Sequence, residues 1–328
     1  MTRALLRLPF RAVSVLAPTR VRVAIAVVFG IAAVAFPSSA AADPVVVAGG
    51  DIACSPTDPA YNDGHGTGGK CRQSATADLA ASLSPGWLLP LGDEQYYCGL
   101  LSEFNAAYGP TWGRMDAVAR PVLGNHEYGK DAIDVSCHTS HAEGYFDYFG
   151  SRAGPIGKGY YSYDVGAWHV IALNSECWTV ACGVGSPQET WLRGDLAANP
   201  RSCTLAYFHR PLVSSLTGTE SPAVVAFWRD LYNAHAELIL NGHAHNYERF
   251  APQNPSRQAT SSGIREFVVG TGGRSHHGFN TIRPNSQRRN STAFGVLKLV
   301  LHPTSYSWNF IPIPGQTFTD SGTTACHD

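Results

Sequence analysis

Five short apolar runs in this chain each end abruptly in a polar residue able to bind a metal ion. Val45–Ala48 runs into Gly49, Gly50 and Asp51, and Trp87–Leu91 into Gly92 and Asp93, with Tyr96 three residues on. Pro121–Leu123 leads to Gly124, Asn125 and His126, and Leu205–Phe208 to His209. Leu238–Leu240 leads to Asn241, Gly242, His243, Ala244 and His245. Apolar runs of this length, bounded by turn residues, predict buried strands. Sites in open α/β sheets form beyond the carboxyl ends of strands, so five such ends are expected to gather these side chains on one edge. The glycines before Asp51, Asp93, Asn125 and His243 are expected to let the backbone turn tightly there.

The residue types narrow the chemistry. Asp51, Asp93, Asn125, Tyr96, His209, His243 and His245 offer hard oxygen and borderline nitrogen donors. That set suits zinc, iron or manganese rather than calcium alone. Seven donors exceed what one open catalytic ion needs, and they suit two ions sharing one carboxylate. Two ions about 3.5–4 Å apart clamp the attacking and leaving oxygens of an in-line displacement and acidify a bound water, which becomes the hydroxide nucleophile. His243 and His245, two apart in extended backbone, point the same way but start well apart, so each can serve a different ion. Singly these elements are ordinary: a Gly-Asp pair is usually a turn, and a strand-end histidine is usually structural. The ordered set carries the argument.

Around these runs the chain reads as alternating strands and short helices. Ser186, Pro187 and Glu189 form an N-cap, N1 and N3 signature, with Trp191, Leu192 and Leu196 on one face behind them. Ser221 and Pro222 open a second helix, and Gln73–Leu83 predicts a third. Glu266–Val269, Val296–Leu301 and Ser305–Ile311 predict strands, giving a layered α/β protein with mixed sheets.

The first 42 residues differ from the rest. They carry Arg3, Arg7, Arg11, Arg20 and Arg22 and no acid, then an apolar run from Val23 to Phe36, then small residues ending in Ala40 and Ala42. This pattern predicts a secretory signal peptide over 1–42, with residues 43–328 as the mature domain. The apolar run is about 14 residues, short of the roughly 20 that span a bilayer, so membrane contact is expected only during export. Losing five arginines from a formal net charge of −1 leaves −6, which excludes a nucleic-acid footprint. Eight cysteines, all beyond the signal and without a Cys-x-x-Cys pair, predict disulfides in an oxidising compartment. Cys177 with Cys182 and Cys54 with Cys71 are the expected pairs.

Taken together, the segments resemble the calcineurin-like metallophosphoesterase superfamily. They are Gly50–Ala53, Gly92–Tyr96, Gly124–Glu127, Phe208–Pro211 and Gly242–Arg249, spanning roughly residues 45–250. The histidine of that family's first motif is replaced by Ala53. The purple acid phosphatase branch also lacks it and supplies a tyrosine, which Asp93 and Tyr96 match. The resemblance implies one metal held by Asp51, Asp93, Tyr96 and His245, and another by Asp93, Asn125, His209 and His243, with Asp93 bridging. It implies iron at the tyrosine site, and zinc, manganese or iron at the other. His126 would contact the phosphate and stabilise its developing charge. The implied fold is two packed mixed β-sheets flanked by helices, a four-layer sandwich. The amino-terminal sandwich domain of the plant purple enzymes has no counterpart, so a stand-alone catalytic domain is expected.

The resulting expectation is a secreted enzyme that hydrolyses phosphate monoesters by metal-bound hydroxide, acting on small phosphate esters. A phosphodiesterase or nucleotide hydrolase with the same site is the alternative, as is a non-enzymatic secreted metal-binding protein, which Ala53 favours. His65 reads as a solvated loop residue and His169 as a buried strand residue. Arg210 and Arg249 fit either phosphate neutralisation or pairing with acids that support the ligands. Arg274, His276 and His277 fit substrate contact or the leaving-group acid.

Overall fold

The computed structural model describes residues 9, 12–15, 17–18, 42–130, 137 and 141–327. The chain divides into two compact units, Met1–Ala41 and Ala42–Asp328. The signal segment expected over 1–42 lies, apart from scattered positions, outside the described residues. Among the described residues, no helix is long and apolar enough to cross a membrane.

In the second unit the strands are β1 (Val45–Gly49), β2 (Trp87–Pro90), β3 (Tyr161–Val165), β4 (Trp168–Ala172), β5 (Cys203–Tyr207) and β6 (Leu238–Asn241). They continue as β7 (Tyr247–Phe250), β8 (Arg265–Val269), β9 (Ser286–Asn290), β10 (Gly295–His302), β11 (Ser305–Pro312) and β12 (Asp320–Ala325). The helices are α1 (Gln73–Ser82), α2 (Leu101–Glu103, continuing as a π-turn through Phe104–Tyr108), α3 (Glu143–Phe149), α4 (Pro187–Ala198) and α5 (Val225–Asn233). One sheet has the order β12-β11-β10-β1-β2, the other β3-β4-β5-β6-β8-β7-β9. Both are mixed. β1 and β2 run parallel, with Val46 opposite Trp87, while β1 and β10 run antiparallel. β4, β5, β6 and β8 form a parallel core in the second sheet.

The two sheets pack face to face. Val46, Leu89, Leu297 and Leu299 of the first share a core with Val170, Leu205, Leu240 and Phe267 of the second. Side chains alternate along each strand, so Val47, Leu88 and Val296 face outward onto α1 and α3 through Ala77, Ala80, Tyr145 and Phe149. On the far side, Ile171, Ala206, Ile239 and Val268 meet Leu192 of α4 and Phe227, Trp228 and Leu231 of α5. This is the expected four-layer sandwich. Central strands covered on both faces must be apolar throughout, which is why they stand out as continuous runs in the sequence. The Ser186 hydroxyl accepts from Glu189 N–H at 3.2 Å and caps α4, while the Glu189 carboxylate accepts from the Gly185 N–H at 2.8 Å rather than from that of Ser186.

Two expectations need correction. Pro121–Leu123 is not a strand. It runs beside β2 through Arg120 N–H to Leu88 O (2.8 Å) and Val122 N–H to Pro90 O (3.1 Å), while Pro121, which has no N–H, leaves the far edge without a donor for a further strand. Nor do the five ends share one sheet edge. β1 and β2 belong to the first sheet, which the 121–123 segment borders, and β5 and β6 to the second, so the residues meet where the rims of two sheets adjoin.

All eight cysteines are paired. Cys54–Cys71 and Cys177–Cys182 form as expected, joined by Cys98–Cys137 and Cys203–Cys326.

Candidate metal centre

The loops after β1, β2, β5 and β6 and the turn after residue 123 bring all seven predicted ligands into one cluster. It falls into two groups that share Asp93. In the first, the buried Tyr96 hydroxyl donates to Asp51 Oδ1 at 3.0 Å or Asp93 Oδ2 at 3.1 Å and lies 3.0 Å from His245 Nε2. His245 Nε2 is itself 3.1 Å from Asp51 Oδ1. In the second, His209 Nε2 lies 3.2 Å from Asp93 Oδ2, 3.2 Å from Asn125 Oδ1 and 3.2 Å from His243 Nδ1. Ligand atoms of Asp93, His209 and His243 all fall within 4.8 Å of one another, a spacing that one metal ion can bridge. Cys54, Asp58 and Cys71 are equally close, but the Cys54–Cys71 disulfide removes both thiolates from metal chemistry.

The backbone conformation differs from the expected one. Three of the predicted ligands themselves adopt left-handed φ: Asp51 (59°), Asp93 (50°) and His243 (68°). Such conformations cost about 1–3 kcal/mol each and persist where surrounding bonds over-determine them. Of the preceding glycines, only Gly92 uses positive φ, at 84°. The others are needed for space: a Cβ on Gly124 would collide with the Asp93 carboxylate, and one on Gly242 would stand 2.8 Å from Leu91 O.

Buried partners hold the geometry. Glu127 accepts from the N–H groups of Gly124 (2.8 Å), Asp93 (3.0 Å) and Gln95 (3.2 Å), tying the loop after β2 to the turn that carries Asn125. His126 N–H donates to Asp93 Oδ1 and His243 N–H to Asp51 Oδ2, both at 2.9 Å. His209 Nδ1 donates to Leu91 O at 2.8 Å, which turns Nε2 toward Asp93, and His245 Nδ1 meets Ser275 Oγ at 2.8 Å, which turns its Nε2 toward Tyr96. His126 Nδ1 donates to Tyr97 O at 2.8 Å, leaving Nε2 at the pocket, 4.0 Å from Asp93 Oδ2. Ala53 is buried beside this network, and its carbonyl accepts the Tyr96 N–H at 2.9 Å.

Electrostatics follow from burial and charge. Burial works to raise Asp93, but positive charge on His209 and His126 outweighs it and holds this carboxyl well below the usual range. Burial works to lower His209, yet Asp93 against it pushes it up to about 10. Burial, then the charges of His209 and Arg210, hold His243 well below the ordinary histidine value. Burial, Asp51 and Asp93 drive the Tyr96 phenol well above its normal range. The donor set fits cations. Buried carboxylates crowd a phenol and three imidazoles, and a positive ion is what lets such groups share a dry site in their donor forms.

The surrounding residues divide. Arg210 Nε donates to Glu176 at 3.0 Å and Nη1 to His243 Nε2 at 2.9 Å, so it pairs with an acid and touches a predicted ligand at once. Arg249 instead pairs with Asp320 at 2.6 Å. Arg274 lies over the Tyr96 ring, 5.2 Å from its centre, held by Asp58 at 3.3 Å. His277 stacks on His245 with rings 4.4 Å apart, while His276 packs on Phe294 at 3.9 Å. His65 is exposed, and His169 is buried between Asp164 and Asp195. Glu127, Glu176 and Ser275 received no role from sequence. Glu176 lies four residues past the end of β4, near the kind of strand end that marks the predicted ligands. A cavity of about 420 Å³ opens over the cluster, with Asn125, His126, His243, His245, Arg274 and His277 in its lining.

No family model matches the chain. It is 31% identical over 137 residues to purple acid phosphatase 15 of Arabidopsis thaliana, which is 39% of this chain and 24% of that protein. Its fold is that of the purple acid phosphatase from yellow lupin (Lupinus luteus) seeds, with TM-score 0.68, 20% identity, and coverage of 86% of this chain and 53% of that one. GAP50, the anchor in the inner membrane complex of Plasmodium, has a similar fold at TM-score 0.57 and 13% identity, covering 88% and 90%. The chain thus spans about a quarter of the curated relative's length and about half of the lupin chain's.

Proposed function

We propose that this chain is a secreted phosphoesterase that hydrolyses phosphate monoesters at a centre of two metal ions. Asp51, Tyr96 and His245 would hold one ion and Asn125, His209 and His243 the other, with Asp93 shared. The observation that carries this reading is the position of Asp93 Oδ2, 3.1 Å from the Tyr96 hydroxyl and 3.2 Å from His209 Nε2. When bound, such ions supply a polarised phosphoryl oxygen and a water acidified toward neutrality.

The chain's own residues do the rest. Glu127 keeps the ligand-bearing loops in register through three N–H groups. His126 Nε2 faces the pocket and is placed to meet a phosphoryl oxygen as charge builds on it. Leu91 O and Ser275 fix the ring orientations of His209 and His245. Tyr96 favours a trivalent ion, so iron belongs on its side, with zinc, manganese or iron on the other. Four disulfides and the basic, then apolar, amino-terminal segment support export to an oxidising compartment, with residues 43–328 as the mature domain.

Metal content and the visible spectrum of the purified protein test the centre. Phosphate release from 4-nitrophenyl phosphate and from bis(4-nitrophenyl) phosphate tests the reaction. Two ions including iron, a colour band that Tyr96→Phe abolishes, and preference for the monoester are expected. Preference for the diester would shift the reading to a phosphodiesterase. Bound metal with no turnover on either ester would make the protein a metal-binding one.

A further inference from the structure

A second, open cleft of about 790 Å³ adjoins the metal cluster, and its lining includes Lys130, Trp178, Arg210 and Glu220. Three links place it against the His243 and Asn125 side of the site. Arg210 donates to His243 Nε2 at 2.9 Å. Asn125 Nδ2 donates to the Lys130 carbonyl at 3.4 Å. Thr219 lines the metal pocket, and Glu220, its neighbour in sequence, lines the cleft.

Trp178 is 50% exposed, yet it is held in one orientation. Its Nε1–H donates to Glu176 Oε2 at 3.0 Å, and Tyr128 meets it edge-on with ring centres 5.4 Å apart. The neighbouring Cys177–Cys182 disulfide closes the loop that carries it. Lys130 Nζ lies 4.9 Å from the indole centre, and among the described residues it meets no carboxylate. Among the described residues, Glu220 of the lining is engaged by Arg283, and Glu176, next in sequence to Ser175 and Cys177 of the lining, is engaged by Arg210 and Trp178. The cleft therefore offers a rigid aromatic surface with a positive charge over one part of it, a short step from the proposed hydrolytic centre.

We propose that this cleft is the leaving-group subsite and that it selects phosphate esters whose alcohol carries a flat aromatic ring, stacked on Trp178. This rests on the phosphoesterase reading above. A planar ring gains dispersion and stacking on a fixed indole, and an electron-rich or anionic edge gains Lys130. An aliphatic alcohol gains neither.

The test uses the metal-loaded protein and the ratio of kcat/KM on adenosine 5′-monophosphate to that on glycerol 2-phosphate. Base–aromatic stacking of ordinary strength predicts that Trp178→Leu lowers this ratio about tenfold, mostly through KM on the nucleotide. Trp178→Phe keeps a ring but loses the bond to Glu176, and it should retain most of the ratio. An unchanged ratio in Trp178→Leu overturns the proposal. So does a Phe variant that behaves like the Leu variant, because the Glu176 bond would then be the cause. If the wild-type protein cleaves neither ester, the phosphoesterase reading has failed. Calorimetric binding of adenosine 5′-monophosphate then decides the subsite: about tenfold weaker binding in Trp178→Leu supports it, and equal binding overturns it.

Discussion

Asp93 Oδ2 stands 3.2 Å from His209 Nε2, across the seam where the rims of the two sheets adjoin. Asp93 follows β2 of the first sheet and His209 follows β5 of the second. Replacing Asp93 by alanine removes the one group common to both halves of the cluster. Asp93→Ala should lose both metals and all turnover while keeping its circular dichroism. Full metal content in the variant would show that the carboxylate is not shared.

His126 reaches the pocket but is not among the seven clustered donors. His126→Ala should keep its metal content and lose about 10²–10³ in kcat, the usual worth of one charge-stabilising group. Metal analysis alongside the rate assay checks this. A variant that loses metal would make His126 a ligand.

The disulfides should differ in their contribution to stability. Cys203–Cys326 spans a sequence separation of 123 and ties the start of β5 to the end of the chain. Cys177–Cys182 spans 5. Loop-closure entropy predicts about 4–5 kcal/mol lost on replacing the first pair by serine and about 2 kcal/mol for the second. Urea unfolding of the two double variants measures the difference, and equal losses would contradict the entropic account.

Glu237, just before β6, is pushed up from 4.5 to about 7 by burial, which the His327 N–H at 2.6 Å only partly offsets. A raised folded-state value means the native protein holds this proton more tightly than the unfolded chain. The resulting stabilisation is complete below about 4.5 and is lost as pH rises through about 7. Glu237→Gln is neutral throughout and can still accept from His327. Its stability relative to wild type should therefore increase between pH 5 and 8, the range that brackets these values. Unfolding midpoints at both pH values check the slope, and parallel profiles would place the ionisation elsewhere.

Much of the site is legible in the chain because strand ends have a local signature. A buried strand such as β5 or β6 is an apolar run, and a polar residue directly after it marks the rim. Tyr96 and Ala53 are legible for the same reason, as neighbours of such ends. Pro121–Leu123 misleads because its apolar character reflects burial beside β2, where it makes bonds to that strand without itself becoming one. The left-handed backbones of Asp51, Asp93 and His243 are not legible, because they sit in loops whose bonds reach to residues far away in the chain.

The sequence by itself determined the donor set, the order of the loops that carry it, and the alternation that sorts side chains into core and outer layers. These depend on period and on neighbours a few residues away. Tertiary structure alone decided that two sheets, not one, build the rim. It also decided that Arg249 turns to Asp320 while Arg210 turns to His243, and that Trp178 stands at a second cleft. Those outcomes depend on contacts between residues far apart in the chain, whose distances are set by how the sheets and helices pack.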